Sequence, residues 1–328
     1  MVYQNRSEKS YCLLIVIVNY RSARLTINCL DSLQDEVEAL GNVRVVVVDN
    51  NSGDRSVEEI ESAIAIEEWG DWAAVLPCEH NGGFAYGNNQ GIRPVLNSSD
   101  PPDYFLLLNP DTLVRERSLK VLMDFMNDNP EVGIAGSRLE DPDRTPQCSA
   151  FKFHTLFSEL DSALRLGMVS RLLNQWIIAP PVKNVPHQID WVAGASMIIR
   201  REVLKEVGLM DEEYFLYYEE VDFCLQAKKA GWSCWYVPAS RVVHLVGQSS
   251  GITNTKTPAK RRPKYWFDSR RRYFLKNHGW LYATCTDLVW LLGFILWRFR
   301  RFIQRKPDCD PPYFLRDFLG YSIQQLGQ

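Results

Sequence analysis

The sequence predicts an α/β protein whose Rossmann-like, mostly parallel sheet is flanked by helices and followed by a basic, apolar, helical C-terminal extension. Two observations predict this fold class. Short β-branched runs alternate with segments whose apolar residues recur at helical spacing, as expected of a parallel sheet. Residues 256–306 then carry 14 basic side chains and two acidic ones, a net charge of +12 in a chain whose total is −3.

The composition of the 328 residues, 46% hydrophobic and 23% charged, is that of a globular protein. The eight cysteines show no CxxC spacing, so neither a zinc site nor a disulfide framework is indicated, and a reducing cytosol is favoured. The first apolar run has the length of a strand and not of a signal peptide. In the extension, cations interleave with aromatic and aliphatic residues, which suits an anionic membrane surface better than nucleic acid. We therefore expect a cytoplasmic protein, peripheral on the inner face of the cell membrane.

Predicted strands and helices alternate in the N-terminal part of the sequence. Apolar, β-branched runs predict three strands, at residues 12–18, 43–48 and 73–76. Helical spacing predicts helices between them, the first capped by Ser22 and the second at residues 56–68. This order of strands and helices is what indicates a parallel sheet.

A glycine pair precedes the next predicted helix, in the sequence Asn81-Gly82-Gly83-Phe84-Ala85. Paired glycines let backbone amides approach a ligand closely, and a helix N-terminus favours an anion. A tight turn whose glycines allow close helix packing is an equal alternative. The pattern is not GxGxxG, so it does not indicate a dinucleotide site.

The central strand is predicted at residues 105–108 and is followed by Asn109-Pro110-Asp111. A run of apolar residues is typical of a strand buried on both faces, and proline cannot continue its hydrogen bonds. Asp111 is left just beyond the carboxyl end, where open α/β sheets bind ligands. A carboxylate beside the amide oxygen of Asn109 suits a hard divalent cation that holds a phosphate. The alternative is a plain turn in which Asp111 caps a helix.

The remaining elements are predicted from the same signals. Strands are expected at residues 132–137, 147–153, 189–200, 232–237 and 241–246, and helices at residues 117–127, 156–177 and 202–207. The strand at 189–200 contains Gly194-Ala195-Ser196, small residues that would let a sugar or phosphate lie against the backbone. His244 lies in an apolar strand, where a lone histidine is usually a hydrogen-bonded core residue.

Six acidic residues fall within residues 211–222, among aromatic residues. Carboxylates beside aromatic rings lose hydration, and neighbouring negative charges also favour the protonated form, so both effects raise a carboxyl pKa toward the range of a general base. The segment therefore predicts a catalytic site. The alternative is a solvated helix start, which the helix dipole would favour.

Two features end the chain. Residues 247–257 are polar and rich in Gly, Ser and Thr, which predicts a mobile loop or lid. Residues 280–297 are apolar, flanked by cations and interrupted by Asp287, which predicts an amphipathic anchor lying in the membrane plane. A transmembrane helix, or a helix docked on the globular domain or on a second subunit, are the alternatives.

Five motifs occur in a specific order: Val18-Asn19-Tyr20, Val48-Asp49-Asn50-Asn51-Ser52, Asn81-Gly82-Gly83-Phe84-Ala85 with Gly87-Asn88-Asn89, Leu108-Asn109-Pro110-Asp111 and Tyr217-Tyr218-Glu219-Glu220-Val221-Asp222. Together they resemble the family 2 glycosyltransferases of the GT-A fold, in the rhamnosyltransferase-like branch. The resemblance covers residues 13–251. It implies a GT-A domain at residues 1–251, and the basic, apolar composition of residues 252–328 predicts a helical, membrane-associating extension after it.

The resemblance implies a site for a nucleotide-sugar donor. Asn19 and Asp49, at the ends of the first two strands, would hold the base and the ribose. Asn81, Gly82 and Gly83 would border the nucleotide and its diphosphate. Each of these residues is given the role that the matching position has in the family's motifs.

The resemblance also implies a metal cofactor, Mg²⁺ or Mn²⁺. Asp111 stands at the family's DxD motif and would bind the ion that bridges the diphosphate. Asn109 replaces the first acid of that motif, and its neutral amide oxygen would coordinate the metal or reach the ribose. His244 matches a histidine that completes the metal site in some relatives.

Glu219-Glu220 matches the family's Glu-Asp pair, whose second member is the base. Glu220 is therefore the expected catalytic base, with Glu219 and Asp222 as the other candidates. Trp191 and the aromatics of residues 214–218 would offer apolar faces to sugars. Enzymes of this type invert the anomeric carbon without a covalent intermediate.

The implied function is a metal-dependent, inverting hexosyltransferase of cell-surface polysaccharide synthesis. It would move rhamnose or another deoxysugar from a dTDP- or UDP-sugar to a glycan or a polyprenyl-linked acceptor. The oligomeric state is not predicted, and a homodimer is one alternative. One alternative is a sugar nucleotidyltransferase, which would carry a Gly/Arg/Lys-rich loop that the sequence lacks after Val18. Another is a catalytically inactive carbohydrate-binding protein.

Overall fold

The computed structural model describes residues 12–245 and 259–324, and the predicted loop at 247–257 lies outside these residues. The strands are β1 (Leu13–Asn19), β2 (Val43–Asp49), β3 (Ala73–Pro77), β4 (Tyr104–Leu108), β5 (Thr112–Val114), β6 (Val132–Glu140), β7 (Ala150–Phe151), β8 (His187–Ile189), β9 (Trp191–Val192), β10 (Ser196–Arg200) and β11 (Ser233–His244). The helices are α1 (Ala23–Asp31), α2 (Gln34–Leu40), α3 (Ser56–Ile66), α4 (Gly83–Leu96), α5 (Ser118–Asp128), α6 (Leu156–Leu164), α7 (Gly167–Leu172), α8 (Arg201–Val207), α9 (Glu219–Lys229), α10 (Lys264–Ile303) and α11 (Phe314–Gln324).

The main sheet has nine strands, in the order β3-β2-β1-β4-β10-β6-β11-β5, with β8 paired to β11. The half from β3 to β4 is entirely parallel, which confirms the predicted Rossmann-like alternation. Beyond β4 the sheet is mixed, because β10 runs antiparallel to both β4 and β6 while β11 runs parallel to β6. The predicted α/β fold is therefore confirmed.

Alternate residues of the central strands feed two cores, one on each face of the sheet. Leu13, Ile15 and Ile17 of β1 belong to one core, and Leu14 and Val16 belong to the other. Every residue of β4 is buried, as predicted for a strand covered on both faces. Helices therefore pack on both sides, and the carboxyl ends of β1, β2 and β4 are left at one edge of the sheet.

Several predicted elements differ in the structure. The single helix predicted at 156–177 is wrong: it ends at Leu164, where Arg165 takes a left-handed conformation with φ 49°, and α7 is a separate helix. The apolar spacing continues across this break, but Met168 and Leu172 are exposed and have no core to pack against. Sequence periodicity reports where apolar residues recur, and a single left-handed residue interrupts a helix without changing that spacing.

The strands near the predicted site also differ. Residues 112–114 form β5, which pairs antiparallel with β11, so the helix cap considered for Asp111 is wrong. The strands predicted at 232–237 and 241–246 are one strand, β11, with an irregular register between Val237 and Arg241. The strand predicted at 189–200 is divided into β9 and β10, and Gly194 lies in the turn between them. The strand predicted at 147–153 is reduced to β7.

The C-terminal region is helical, as predicted, and packs on the sheet domain. Helix α10 is interrupted at Gly279, whose φ of 82° and ψ of 170° are not helical. Before this break, Tyr273 and Phe274 belong to the same core as β1 and α9. After it, one side of the helix packs on α6 and α11 while large apolar side chains on the other side are exposed, among them Leu292, Phe299 and Phe302.

A buried ion-pair network ties α10 to α6. The Arg270 guanidinium donates to Glu159 at 2.8 Å and to Asp287 at 2.6 Å, and Arg271 also donates to Asp287. Burial opposes ionisation of Glu159, but the Arg270 charge and a hydrogen bond with His154 hold its pKa at about 2. The two arginines and Glu159 are almost fully buried, so each charge depends on its partner for solvation.

We expect Asp287→Ala to lower the free energy of unfolding by about 3–5 kcal/mol, because it leaves two buried guanidinium groups without this carboxylate. Chemical denaturation at pH 7 measures the change. The matched control is Asp124→Ala, which removes a carboxylate paired with Lys120 on an exposed helix face and should cost less than about 1 kcal/mol. Equal losses in both variants would contradict the role given to the network.

Candidate active site

One cavity of about 520 Å³ opens at the carboxyl edge of the parallel strands. Its wall includes residues that follow β1, β2 and β4, together with the β9–β10 turn, the segment before α9, and the first turns of α9 and α10. The polar and charged side chains that line it are Ser22, Asn50, Asn81, Asn109, Asp111, Glu219, Glu220 and His244. The position agrees with the rule that open α/β sheets bind ligands beyond their strand ends.

Asp111 and His244 lie side by side in this cavity. Strand β5 returns along β11 with Thr112 opposite His244, and the Leu245 amide donates to the Asp111 carbonyl at 2.9 Å. These bonds place the His244 Nε2 atom 3.5 Å from the Asp111 carboxylate. The predicted metal ligands are therefore adjacent, and Asn109 lines the same cavity.

Asp111, His244 and Asn109 are the side chains available to hold a divalent ion in this cavity. Within residues 12–245 and 259–324, no group of three or more His, Cys, Asp or Glu side chains is arranged to hold a metal. Mg²⁺ is commonly held by one or two carboxylates while water and substrate phosphates complete its octahedral shell. A buried carboxylate with a neighbouring imidazole fits such an ion when a diphosphate supplies the remaining oxygens. The residues present therefore fit a metal that binds together with a phosphorylated ligand.

Asn50 lines the cavity where β2 ends. Its Nδ2 donates to the Asn81 side chain at 3.0 Å and to the Gly83 carbonyl at 2.9 Å, while Asn81 accepts from the Gly83 amide. In the part of the chain that the structure describes, the buried Oδ1 atom of Asn50 makes no hydrogen bond. A buried acceptor of this kind is costly unless a ligand or water satisfies it.

Gly83 has φ +87°, and a Cβ atom at this position would lie 1.9 Å from the Phe215 carbonyl oxygen. Only glycine fits here, since the Phe84 amide must donate to that carbonyl at 2.9 Å. Gly82 packs against the Tyr86 ring and does not line the cavity. The glycine pair thus serves close packing of two protein segments, and only Gly83 borders the site.

Asn19 and Asp49 occupy the expected strand ends, but both side chains are buried and do not line the cavity. The Asn19 amide donates to the Asp49 carboxylate at 2.7 Å, and Asp49 also accepts from the amide and hydroxyl of Ser52. These bonds fix the turn that carries Asn50. The structure therefore brings Asp111 and Glu220 into one cavity, and it places Asp49 behind the wall.

Glu219 and Glu220 begin α9, directly after Tyr217 and Tyr218, whose φ values of 72° and 69° are left-handed. Burial raises the pKa of Glu220 to about 7, against a hydrogen bond from the Gly194 amide. Burial and the charge of Glu220 hold the pKa of Glu219 well above its usual range. Among the described residues, neither Oε2 atom has a hydrogen-bond partner. Gly194 therefore contributes its backbone amide to the site, while the predicted contact of this backbone with a sugar or phosphate stays a prediction.

Asp222 points away from the cavity. Its carboxylate accepts from Lys276 at 2.7 Å and from the side chains of Asn277 and Gln226. Residues two apart on a helix are separated by about 200° around its axis, so Asp222 and Glu220 face different surroundings. Asp222 thus holds α9 against α10.

The predicted aromatic platform is only partly at the site. Trp191 stacks on Phe151 with ring centres 4.2 Å apart, and Tyr214 is fully buried, so the expectation that they face a sugar is wrong. The rings that line the cavity include Phe215, Tyr217 and Tyr265.

Several lining residues were not predicted as site residues, and Asn50 and Tyr265 are the two that bear on the ligand contacts discussed below. Asn50 is the first residue after a parallel strand, so the strand-end rule applied to Asp111 was sufficient to find it. Tyr265 lies in the first turn of α10, more than 40 residues after Glu220 in the chain, and no local signal marks it.

Comparisons with known proteins agree with this geometry. Residues 14–208 match the model of glycosyl transferase family 2. The chain is 28% identical over 223 residues to an N-acetylglucosaminyl-diphospho-decaprenol L-rhamnosyltransferase of Mycobacterium tuberculosis, covering 64% of this chain and 68% of that protein. It is 24% identical over 283 residues to the dTDP-rhamnosyl transferase RfbF of Shigella flexneri, covering 84% of each.

The fold is also shared with solved structures. A mannosyltransferase of Pyrobaculum calidifontis, in complex with GDP-Man and Mn²⁺, superposes with a TM-score of 0.57 at 14% identity, covering 96% of this chain and 86% of that one. GalNAc-T7 with UDP, GalNAc and Mn²⁺ gives a TM-score of 0.57 at 16% identity, covering 97% of this chain and 58% of that one. These neighbours confirm the GT-A architecture. With its family match covering more than half of its length, the chain belongs to glycosyl transferase family 2.

Proposed function

We propose that this glycosyltransferase inverts the anomeric carbon as it moves a sugar from a nucleotide diphosphate to a glycan or polyprenyl-linked acceptor. One observation carries the proposal: a single cavity is lined both by Asp111 and His244 and by Glu220, whose pKa is raised to about 7. The first pair suits a charged diphosphate with its metal, and the carboxylate suits a general base. Rhamnose or another deoxysugar from dTDP or UDP is the proposed donor, and the names of the sequence relatives support rhamnose and dTDP.

The donor end of the cavity is polar. Asn50 offers its buried Oδ1 atom to the nucleotide, and Asn81 holds Asn50 and the Gly83 turn in place. Asp111 and His244 would hold Mg²⁺ or Mn²⁺ at the diphosphate, with Asn109 beside them. When bound, such an ion neutralises negative charge that develops on the leaving group.

Glu220 carries the proton step. As the acceptor hydroxyl attacks the anomeric carbon, its proton passes to the Glu220 carboxylate, a C–O bond to the acceptor forms, and the bond to the diphosphate oxygen breaks on the opposite face. One in-line displacement inverts the configuration and needs no covalent intermediate. The Gly194 amide orients the carboxylate, and the buried surroundings keep its pKa close to neutral pH.

The C-terminal region supports an acceptor presented at a membrane. Helix α10 is the one helix in the described chain long and apolar enough to cross a membrane, by length and composition only. Its exposed apolar side and the basic composition of residues 256–306 favour peripheral binding to an anionic lipid surface. We propose a location on the inner face of the cell membrane and a lipid-linked acceptor.

A thermal-shift screen of nucleotide sugars with and without Mn²⁺ tests the donor assignment. A ligand that binds only the folded state raises its stability in proportion to RT ln(1 + [L]/Kd), so the correct base and sugar should give the largest shift. Pyrophosphate release from a nucleoside triphosphate would instead indicate a nucleotidyltransferase. Sugar binding that needs neither nucleotide nor metal would indicate an inactive carbohydrate-binding protein.

Glu220→Gln should lower kcat by about 10²–10⁴-fold while donor binding is retained, because the amide cannot accept the proton. Asp111→Ala should instead weaken the Mn²⁺-dependent part of the donor thermal shift. Asp222→Asn serves as the comparison, since its carboxylate lies outside the cavity and should matter less than Glu220. Transfer within threefold of wild type in Glu220→Gln would remove Glu220 from the mechanism.

The rate of sugar transfer should rise with pH through about 7, because burial favours the neutral form of Glu220 and only the ionised form accepts a proton. The same shift means that folding favours the protonated carboxyl, so its contribution to stability falls as pH rises from the unfolded pKa to about 7. Rate–pH profiles of single-turnover transfer measure the first effect. A profile with its acid limb near pH 4.5 would contradict the burial of this group.

A further inference from the structure

Two stacked tyrosines form part of the cavity wall near the base. The rings of Tyr217 and Tyr265 lie 6.2 Å apart between centres with planes 26° apart, and both line the cavity. Phe215 meets Tyr265 at 5.2 Å. Tyr217 is three residues before Glu220 in the chain. The charges of Glu219 and Glu220 lie close enough to raise the pKa of the Tyr217 hydroxyl.

These rings belong to a fixed structure. The segment that carries Phe215 and Tyr217 is held on one side by the bond from Phe84 to the Phe215 carbonyl. On the other side Ser269 of α10 donates its hydroxyl to the Leu216 carbonyl at 3.1 Å. Helix α10 thus fixes the loop before the base and places Tyr265 upon it.

The lining of the cavity combines two kinds of chemistry. Asn50, Asn81 and Asp111 present amide and carboxylate oxygens, as a nucleotide diphosphate and its metal require. The tyrosine pair presents flat apolar faces with hydroxyl groups at their edges. Burial raises the pKa of Tyr217 to about 12, so its hydroxyl stays neutral at physiological pH. A flat, amphipathic surface of this kind matches a pyranose ring, which has an apolar C–H face and a hydroxylated rim.

We propose that Tyr217 and Tyr265 form the acceptor subsite, where the acceptor sugar packs on the tyrosine pair and presents its hydroxyl to Glu220. This assignment rests on the proposed function. It gives the C-terminal helix a direct part in substrate binding: Tyr265, from outside the segment that matches the family, completes the acceptor wall.

The test uses the full-length enzyme, the donor found in the thermal-shift screen, and N-acetylglucosaminyl-diphospho-farnesol as a short-chain acceptor. Tyr265→Ala should raise the acceptor KM by about tenfold, the loss of one well-packed aromatic face, with kcat within about threefold and donor KM unchanged. Tyr265→Phe should keep the acceptor KM within about threefold, because the ring face is retained. The control is Tyr313→Ala, which removes an exposed tyrosine outside this cavity and should leave both KM values unchanged.

Three results would overturn the proposal. An unchanged acceptor KM in Tyr265→Ala would show that the ring does not contact the acceptor, and a matching rise in donor KM would place it at the donor. Inhibition of wild type by farnesyl diphosphate that is lost in Tyr265→Ala would assign the ring to the lipid and not to the sugar. If wild type binds no nucleotide sugar and transfers none, the proposed function fails as well, whereas transfer without an effect of Tyr265→Ala rejects the subsite alone.

Discussion

The site depends on one close backbone contact, in which the Phe84 amide donates to the Phe215 carbonyl at 2.9 Å across a position where only glycine fits. Residues 83 and 84 begin α4, the helix between β3 and β4, and residue 215 precedes α9, which carries the proposed base. This contact ties the turn beside Asn50 to the segment that precedes Glu220. A side chain at residue 83 would push the two segments apart, because the obstructing atom is backbone and cannot rotate away.

Backbone strain lies directly beside the proposed base. Tyr217 and Tyr218 hold left-handed backbone conformations that are unfavourable for residues with a side chain. Packing maintains them, since Tyr218 is buried against Tyr273 and His154 and Tyr217 lies against Tyr265. Glu219 is buried and Glu220 is half-buried, and among the described residues the Oε2 atom of each has no hydrogen-bond partner. Left-handed backbone and unsatisfied carboxylate oxygens thus adjoin in this segment, as is usual where a structure is shaped for chemistry.

Features that depend on neighbouring residues in the chain could be predicted from the sequence, and features that depend on contacts between distant segments could not. Strand ends are local features, so Asp111 could be placed at the site from an apolar run and the proline after it. His244 could not be placed from its own surroundings, because its approach to Asp111 depends on β5 reversing along β11. Asp49 stands at a strand end, as predicted, but its carboxylate accepts hydrogen bonds from Asn19 and Ser52 and does not line the cavity, so its contact with the nucleotide stays a prediction. Tyr265 depends on the docking of a distant helix, which no local pattern records.

The left-handed residue at 165 marks a related limit, because it divides a segment whose apolar spacing continues across the break. A backbone conformation of this kind leaves no trace in the spacing of apolar residues.

Because α10 packs on the sheet domain, the choice of where to end a shortened form of this enzyme has practical consequences. The composition changes near residue 251, which invites a shortened protein that ends there for easier purification. Such a fragment would lose Tyr265 from the cavity wall, the Ser269 support of the base-bearing loop, and the arginine that neutralises Glu159. A fragment that ends at residue 251 would therefore lack part of the cavity wall and of its support, and we expect an active form to extend through the C-terminal helix.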